Sequence, residues 1–428
     1  MITQEMGTTS RPGELLIASS ADVDAFRTKL RMFRRDEISR RERSASAPTF
    51  RRVFRWMARR ANRIMGRPWL MYLAVATGVT GVCRYGGAIS AKHGVSKRDQ
   101  FLRLSIDYYL NHTPIETFYV YQFYLPERWK SRSRHFPDAG LAQDWLLAKL
   151  ASPDLELLAN KDKFAVACEK RNLPTIPVIA EFLFGSPKSA FVELPSADLF
   201  SKPASSCLGR GARSWRYDPA SDRFTGGSSA GLTKQAVTAA LSEQSKSLKT
   251  KIIVQRTARN HPDMASITNG ALATIRIVTC RAPSGAIDIL PPVIKMPAGP
   301  TVVDNLLGGG VAAPLDRNNG TIIGHGIQRD LATVLKRWTV HPDTGVPLLG
   351  FSVPGWSEVV KLALRAHQSF SGLHFVGWDI AVLQSGPVLV EGNALWEATL
   401  IVLPHGISLS DTQFVPYFNY HADRLLRR

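Results

Sequence analysis

An α+β fold follows from three stretches of this 428-residue chain. Near the C-terminus, Gly377-Trp-Asp-Ile-Ala-Val382 and Pro387-Val-Leu-Val-Glu-Gly-Asn393 are β-rich runs separated by Leu383-Gln-Ser-Gly386, the pattern of an antiparallel hairpin. Upstream, Asp198–Lys202 and Arg213–Tyr217 are short strands on either side of the glycine-containing segment 204–211. Between these two units, Trp356, Val359, Val360, Ala363, Leu364, His367 and Phe370 recur at helical spacing and mark a helix with one core face. At 44% apolar residues the chain is long enough for at least two cores.

Residues 1–95 read as a basic, partly helical N-terminal region. The first 25 are polar and expected to be loosely ordered. The net charge of +19 is concentrated just after them. Between Arg27 and Arg67 stand fifteen Lys/Arg against Asp36, Glu37 and Glu42, a local balance of +12. Phe50, Val53, Phe54, Trp56, Met57, Ile64 and Met65 interleave with those arginines at partly helical spacing. Two expectations compete for this arm: a basic helix packed on the domain with its arginines in water, and a basic amphipathic helix on an anionic membrane surface. Nucleic acid is disfavoured as a partner, because no nucleic-acid motif or aromatic stacking set accompanies the charge. Pro68–Cys83 contains sixteen uncharged residues, short of the roughly 20 that span a bilayer. Pro68, Gly78 and Gly81 weaken a spanning helix further, so a buried or interfacial helix is expected. It stands too far from Met1 to be an ordinary signal peptide.

Residues 96–157 are expected to be a helical accessory segment, with Tyr108-Tyr109 and the aromatic run Thr117–Tyr124 as core, the alternative being a substrate-side wall. Asn160 or Asp162 is placed to cap a helix running to about Asn172, which Leu173-Pro-Thr-Ile-Pro177 then stops. Lys251–Arg256 is an apolar strand with a polar end, and Ala273–Thr279 alternates with Arg276 on its outward set. Pro292–Lys295 and the glycine-rich Asp304–Gly310 follow, and 404–428 is left as a C-terminal tail. Cys83, Cys168, Cys207 and Cys280 are scattered, which suggests neither a disulfide framework nor a zinc site and points to a reducing, cytoplasmic location. Cys207 reads as a small apolar filler and His367 as a satisfied core histidine. The ten histidines show no paired metal spacing, and no internal repeat is visible.

The chemistry is carried by two features. If the C-terminal hairpin turns about Ser385, Asp379 pairs with Glu391, and alternation puts Asn393 on the same face. Trp378, Ile380, Val388 and Val390 then point the other way. Directly opposed residues have Cβ atoms roughly 4.5–5.5 Å apart, and opposed carboxylates repel unless a cation lies between them. Oxygen-only ligation suits Mg²⁺; the alternative is an edge hairpin with two solvated acids. In the second feature, Lys202 leads into Gly209-Arg-Gly211. Glycines let backbone N–H groups approach phosphate oxygens while an ammonium neutralises charge. This is not a P-loop, since no GxxxxGK followed by Ser or Thr occurs, and the competing reading is a pair of ordinary turn glycines.

The order of these parts resembles the ATP-grasp superfamily, and most closely its sugar-transfer-associated branch, found with polysaccharide biosynthesis. The residues that carry the resemblance are DKF (162–164), FSKP (200–203), GRG (209–211), IIVQR (252–256), TIRIVT (274–279), VDNLLGGG (303–310), HPDTG (341–345), GWDIAV and EGN, spanning roughly 155–400. It implies the ATP-grasp fold, two lobes with antiparallel sheets clamping ATP: a nucleotide-binding lobe at 158–257 and a metal-bearing catalytic lobe at 258–403. The implied cofactors are ATP and one or two Mg²⁺, with Mn²⁺ able to substitute. Lys163 and Lys202 would contact adenine-side groups and the α/β-phosphates, and Gly209, Arg210 and Gly211 would close over the triphosphate. The strand bearing Gln255 and Arg256 would lie beneath adenine. Asp379, Glu391 and Asn393 would hold metal, and Arg276 would approach the γ-phosphate or an acyl-phosphate. Lys295, Asn305 and His325 are candidates for the acceptor side. One departure stands out: many relatives place a carboxylate on the hinge strand for ribose, where this chain has Gln255 or Arg256.

The implied function is ATP- and Mg-dependent ligation, in which a carboxylate becomes an acyl-phosphate that an amine or thiol captures, in polysaccharide or cell-surface saccharide biosynthesis. Its substrates would be small-molecule or saccharide-linked carboxylates and amines. Two other readings stand beside it: a phosphotransferase on the same fold, and a non-enzymatic membrane-surface adaptor with a nucleotide site. The expected location is cytoplasmic, with peripheral contact at the inner membrane face through residues 27–83.

Overall fold

Two stretches of alternating sequence close into two antiparallel sheets, and helices cover what those sheets would otherwise expose. The computed structural model of the chain describes residues 17–43, 67–136, 139–188, 193–205, 209–226, 229–300, 304, 306–330 and 334–427.

The smaller sheet has seven strands: β1 (Ala180–Leu183), β2 (Ser186–Pro187), β3 (Leu199–Pro203), β4 (Arg213–Asp218), β5 (Arg223–Gly226), β6 (Ser229–Leu232) and β7 (Ile252–Arg256), in the order β2-β1-β7-β3-β4-β5-β6. Alternation sends Phe182, Leu199, Trp215, Phe224, Ile252 and Val254 to one face, where Val237 and Leu241 of the Lys234–Ser247 helix cover them. Trp215 Nε1 donates to Ser201 Oγ at 3.0 Å. Its ring lies so close to Gly226 that a Cβ there would sit 2.3 Å from it, so this packing admits only glycine.

The larger sheet has eight: β8 (Thr274–Arg281), β9 (Ile287–Ile289), β10 (Val293–Met296), β11 (Val311–Pro314), β12 (Gly326–Asp330), β13 (Val334–Trp338), β14 (Phe375–Leu383) and β15 (Gly386–Asn393). Their order is β13-β12-β11-β10-β8-β14-β15, with β9 beside β8. β8 and β14 are buried almost throughout because both faces are covered. Ile275, Ile277, Trp378 and Ile380 pack with Val359 and Ala363 of the Trp356–Ser369 helix. Buried between them, His367 has Nε2 3.0 Å from the Leu373 carbonyl and Nδ1 2.7 Å from Thr279 Oγ1. The carbonyl requires a proton on Nε2, so Nδ1 accepts from the Thr279 hydroxyl, whose oxygen accepts in turn from Trp378 Nε1 at 2.8 Å. Burial pushes the His367 pKa down to about 4. It is the satisfied core histidine that the sequence suggests.

The other face of the larger sheet carries a helical layer. The Ser20–Arg43 helix places Phe26 against Phe136, Phe418 and Phe414, with ring centroids 4.7, 5.1 and 5.8 Å away, and stacks Phe33 on Trp145 at 4.3 Å. Lys29 is buried and pairs with Asp423 at 3.0 Å. The described part of the basic arm is therefore packed on the domain, the first of the two expectations for it, and Ala18 and Val23 join the core although residues 1–25 read as loose. The 404–428 stretch likewise holds the Phe414–Leu426 helix instead of a tail. The aromatic run Phe118–Tyr124 is core, as expected.

Residues 44–66, with Phe50 through Met65, and Cys207 lie outside the described residues. Residues 67–81 are helical, pass through a π-turn at Val82–Gly86 into the Gly87–His93 helix, and return along Lys97–Asn111, which Ser96 caps. Among the described residues no helix is long and apolar enough to cross a membrane. The expected helix at 160–172 runs from Lys161 to Lys170, with Asn160 at its N-cap position but making no side-chain cap bond, while Asp162 pairs with Lys251.

Because the Phe26 ring is fully buried in a cluster joining three helices, Phe26→Ala is expected to lower unfolding free energy by about 3–5 kcal/mol in urea titrations. A change under about 1 kcal/mol would show that the N-terminal helix is not integral to the fold.

Candidate active site

The two sheets face each other across a cleft of about 980 Å³, at the upper end of the range of small-molecule sites. The smaller-sheet side contributes Lys161, Ile176, Phe200, Lys202, Gln255 and Arg256. The larger sheet contributes Thr274, Arg276, Lys295, Asp304, Asp379 and Glu391. Apolar side chains and cations thus share the smaller-sheet side, while the larger sheet brings carboxylates and cations together.

Register explains the charged wall. Asp379 on β14 stands opposite Glu391 on β15 and opposite Arg276 on β8, so three ionisable groups form one row across three strands. Lys295 on β10 pairs with Thr274 on β8, one step along. The Asp379–Glu391 pairing is the expected one, but it is reached differently. The turn closes at Leu383↔Gly386, which alone would put Val390 opposite Asp379. A β-bulge between Asp379 and Ile380 takes up one extra residue and restores Glu391 to that place. Val390 consequently lines the cleft, whereas plain alternation would turn it away with Trp378 and Ile380.

Arg276 grips Asp379 with two bonds, Nε to Oδ1 at 2.6 Å and a terminal nitrogen to Oδ2 at 3.0 Å. Lys295 Nζ donates to Oδ2 at 3.0 Å and lies 3.4 Å from Asp304. Thr274 donates its hydroxyl to Asp304. The fork geometry of guanidinium on carboxylate gives this buried cluster its strongest bonds. Burial alone would raise the Asp379 pKa, but the Arg276 and Lys295 charges hold it well below the carboxylate range. Burial opposes charge on Arg276 too, and Asp379 overrides it, raising that group above its ordinary value. Asp304 moves the other way, upward, because burial outweighs its attraction to Lys295.

Lys202 differs from these cations. Half-buried at the end of β3, it makes no hydrogen bond or ion pair with the described residues. Burial pushes its pKa down to about 8; the field of Glu391 across the cleft pulls it up, and that of Lys161 pushes it down. Lys161 Nζ lies 3.6 Å from Glu391 Oε2, and Asn393 Nδ2 lies 3.4 Å from Glu391 Oε1. Gln255 Nε2 donates to the Ile176 carbonyl at 2.7 Å, which fixes the amide at the floor of the cleft. Gly209 lines the cleft, and Gly209 and Gly211 hold φ of +68° and +77°, a conformation that favours glycine.

The donor set of Asp379, Glu391 and Asn393 is all oxygen apart from one amide nitrogen, which fits a hard divalent cation. Glu391 and the Asn393 amide oxygen are the members not already gripped by a guanidinium. Among the described residues no group of three or more His, Cys, Asp or Glu side chains is arranged to hold a metal, so the fit rests on two carboxylates, one amide and whatever oxygens a ligand brings.

Other sequence candidates fall elsewhere. Lys163 does not line the cleft: 45% exposed, it turns outward and pairs with Glu156. Arg210 is exposed and His325 is exposed outside the cleft wall, and Asn305 lies outside the described residues. Lys161, Thr274 and Asp304 are site residues that the sequence reading missed. Only Asp304 had a signal, its place beside a glycine tract.

A family described as sugar-transfer associated ATP-grasp has a profile that matches residues 153–414. No curated protein matches the chain. Among solved structures, the chain is similar to an L-amino acid ligase from Bacillus licheniformis, at 13% identity over 61% of this chain and 48% of that one, TM-score 0.34. It is also similar to a D-alanyl-alanine synthetase A from Vibrio cholerae, at 12% identity over 63% of this chain and 66% of that one, TM-score 0.37. A third is an N5-carboxyaminoimidazole synthetase from Staphylococcus aureus complexed with ADP, at 8% identity over 62% and 53%, TM-score 0.36. The chain spans about half the length of the first of these proteins.

Asp379→Asn keeps side-chain volume but leaves Arg276 and Lys295 buried without their shared counter-charge, so a loss of about 3–5 kcal/mol is expected in denaturant unfolding. Glu391→Gln, at a half-exposed position, should change stability by less than about 1 kcal/mol in the same measurement.

Proposed function

The chain belongs to the sugar-transfer associated ATP-grasp family, and on that footing we propose that it is an ATP- and Mg-dependent ligase joining a carboxylate to an amine or thiol. The observation that carries the proposal is Lys202: an ammonium with no hydrogen-bond or ion-pair partner among the described residues, facing the oxygen donors Asp379, Glu391 and Asn393 across the cleft. A phosphate chain is the ligand that such an ammonium on one wall and hard-cation donors on the other would both engage.

Charge counting supports the same reading. Lys161, Lys202, Arg216, Arg256, Arg276 and Lys295 line the cleft with Asp304, Asp379, Glu391 and Glu397, which leaves two positive charges. A triphosphate carries roughly four negative charges, so the protein groups alone cannot balance it, and a divalent ion held by Glu391, Asp379 and Asn393 would supply the deficit and draw charge off the phosphates. The apolar Ile176 and Phe200 with the Gln255 amide suit a base and its sugar, the amide serving where a hinge carboxylate is absent.

In the proposed reaction, a substrate carboxylate oxygen attacks the γ-phosphorus while the bond to the bridging oxygen of ADP breaks, giving an acyl-phosphate. An amine or thiol then attacks the acyl carbon, phosphate leaves with the electron pair of the C–O bond, and the nucleophile gives up its proton. Arg276 and Lys295 are held too firmly by Asp379 to swing, so their part is a fixed positive field where charge builds on the transferred group. Lys202 steadies the phosphates, and Lys295 and Asn305 are assigned to the acceptor side. A role in saccharide assembly is suggested by the family's description alone. Its substrates would be small molecules or saccharide-linked groups.

Phosphorus NMR of the protein with Mg-ATP, sugar acids, amino acids and amino sugars tests the proposal. ADP and phosphate appearing only with a carboxylate–nucleophile pair is the expected outcome. A persistent phosphoester would instead identify a phosphotransferase. Lys202→Ala and Glu391→Gln are each expected to lower kcat/KM for ATP by about 100-fold or more, and wild-type turnover by both would refute the assignment. Lys202 also sets a pH dependence. Its pKa is lowered from 10.5 to about 8 before nucleotide binds, so the unfavourable charge is present below that pH and relieved above it. Triphosphate binding raises the pKa again. Calorimetry in buffers of different ionisation enthalpy should therefore show proton uptake between about pH 8 and 10.5, little near neutrality, and none at either pH in Lys202→Ala.

A further inference from the structure

Outside the cleft, the most unusual surface is a helical hairpin on the N-terminal side. Residues 67–81 run antiparallel to Lys97–Asn111, and the contacts that a Cβ would make give their register: Gly86 meets Lys97, Gly81 meets Leu104, and Gly78 meets Ser105 and Phe101. The last two approaches are 2.3 and 2.1 Å, so glycine is what lets the helices pack this closely. In that register Val79, Val75 and Tyr72 lie level with Leu102, Ile106 and Leu110. All six are exposed, Tyr72 at 62% and Leu110 at 59%. Their spacings of three or four residues keep each set on one stripe of its helix. Trp69 stacks on Tyr72 at 5.4 Å at the start of the hairpin, adding the amphipathic aromatics that favour a membrane–water boundary.

The charges around this apolar surface are mostly of one sign. Arg67 stands at one end, and Lys97 and Arg98 at the other, all exposed; Asp99 is engaged with the Ser96 cap and Glu116 with Arg84 at 2.8 Å. A second copy of the chain would bring the same cations against these, so repulsion disfavours self-association through this face. A surface that is apolar inside and anionic outside complements it.

We propose that the hairpin of residues 67–81 and 97–111 docks on an anionic lipid surface, its six-residue apolar stripe entering the headgroup boundary and the flanking cations meeting lipid phosphates. The helices lie along the surface rather than through it. This surface is independent of the ATP cleft, so it stands whatever reaction the cleft performs.

The test is flotation of the full chain with vesicles of phosphatidylcholine containing roughly one-third phosphatidylglycerol, and with phosphatidylcholine alone. Binding is expected to the anionic vesicles only and to weaken as salt is raised. The neutral double variant Val75→Gln/Ile106→Gln should bind at least about tenfold less tightly. Leu349→Gln, at an exposed apolar residue on a turn outside the hairpin, should bind as wild type does. Unchanged thermal midpoints and Mg-ATP titrations confirm that the variants are folded. Three results overturn the proposal: no binding to anionic vesicles, undiminished binding by the double variant, or a dimer in sedimentation equilibrium that the double variant abolishes.

Discussion

One buried carboxylate, Asp379, takes the bonds of two cations, Arg276 and Lys295, and the larger sheet is arranged around that contact. Each of the three groups comes from a different strand, so the contact exists only while β10, β8 and β14 keep their pairing. A slip of one residue would send all of these side chains to the opposite face, into the apolar layer under the Trp356–Ser369 helix. Charges buried there without partners would cost far more than the slip could recover. The network therefore specifies register as well as electrostatics. Thr279 does similar work on the opposite face, tying His367 and Trp378 together through one hydroxyl.

The two walls of the cleft divide their tasks. On the larger sheet the cations are saturated by carboxylates and immobile, which suits groups that must be in place before a reaction starts. On the smaller sheet Lys202 has no hydrogen-bond or ion-pair partner among the described residues, and burial lowers its pKa, so a polyanion entering the cleft would relieve an unfavourable charge. A site built only of saturated pairs would have little affinity to offer, and one built only of unpaired charges would be hard to fold.

Much of this was legible in the sequence where the signal was local. The hairpin partners Asp379 and Glu391, the strand–glycine loop–strand around Lys202, the core role of His367 and the ATP-grasp order of parts could all be read from short-range patterns. What could not be read depended on distant packing. Lys161 and Lys163 are two positions apart on a helix, about 200° around its axis, so only one can face the cleft. Which one does is fixed by the packing of Phe164 between Phe370 and Trp378, far along the chain. Asp304 gains its place from Lys295 and Thr274 on neighbouring strands. The Ser20–Arg43 helix carries Phe26, Leu30 and Phe33 at i, i+4 and i+7, yet its arginine content left packing on the domain and contact with a membrane surface as competing expectations. The stripe was there, but the partner helix at the other end of the chain was not adjacent to it in sequence.

The bulge at Val390 gives the last hairpin two phases, one set by the turn and one by the charged row. Between Gly386 and Leu389 the strand obeys the two-residue turn; from Glu391 onward it obeys Asp379. Length changes in this segment are consequently unequal in their effects. Loss of one residue between 386 and 390 can be absorbed by flattening the bulge, but it would leave a regular ladder with no slack. Gain of a residue beyond 391 has nothing to absorb it and would carry Asn393 off the cleft. The evolutionary freedom of this hairpin to vary in length is thus confined to its turn side.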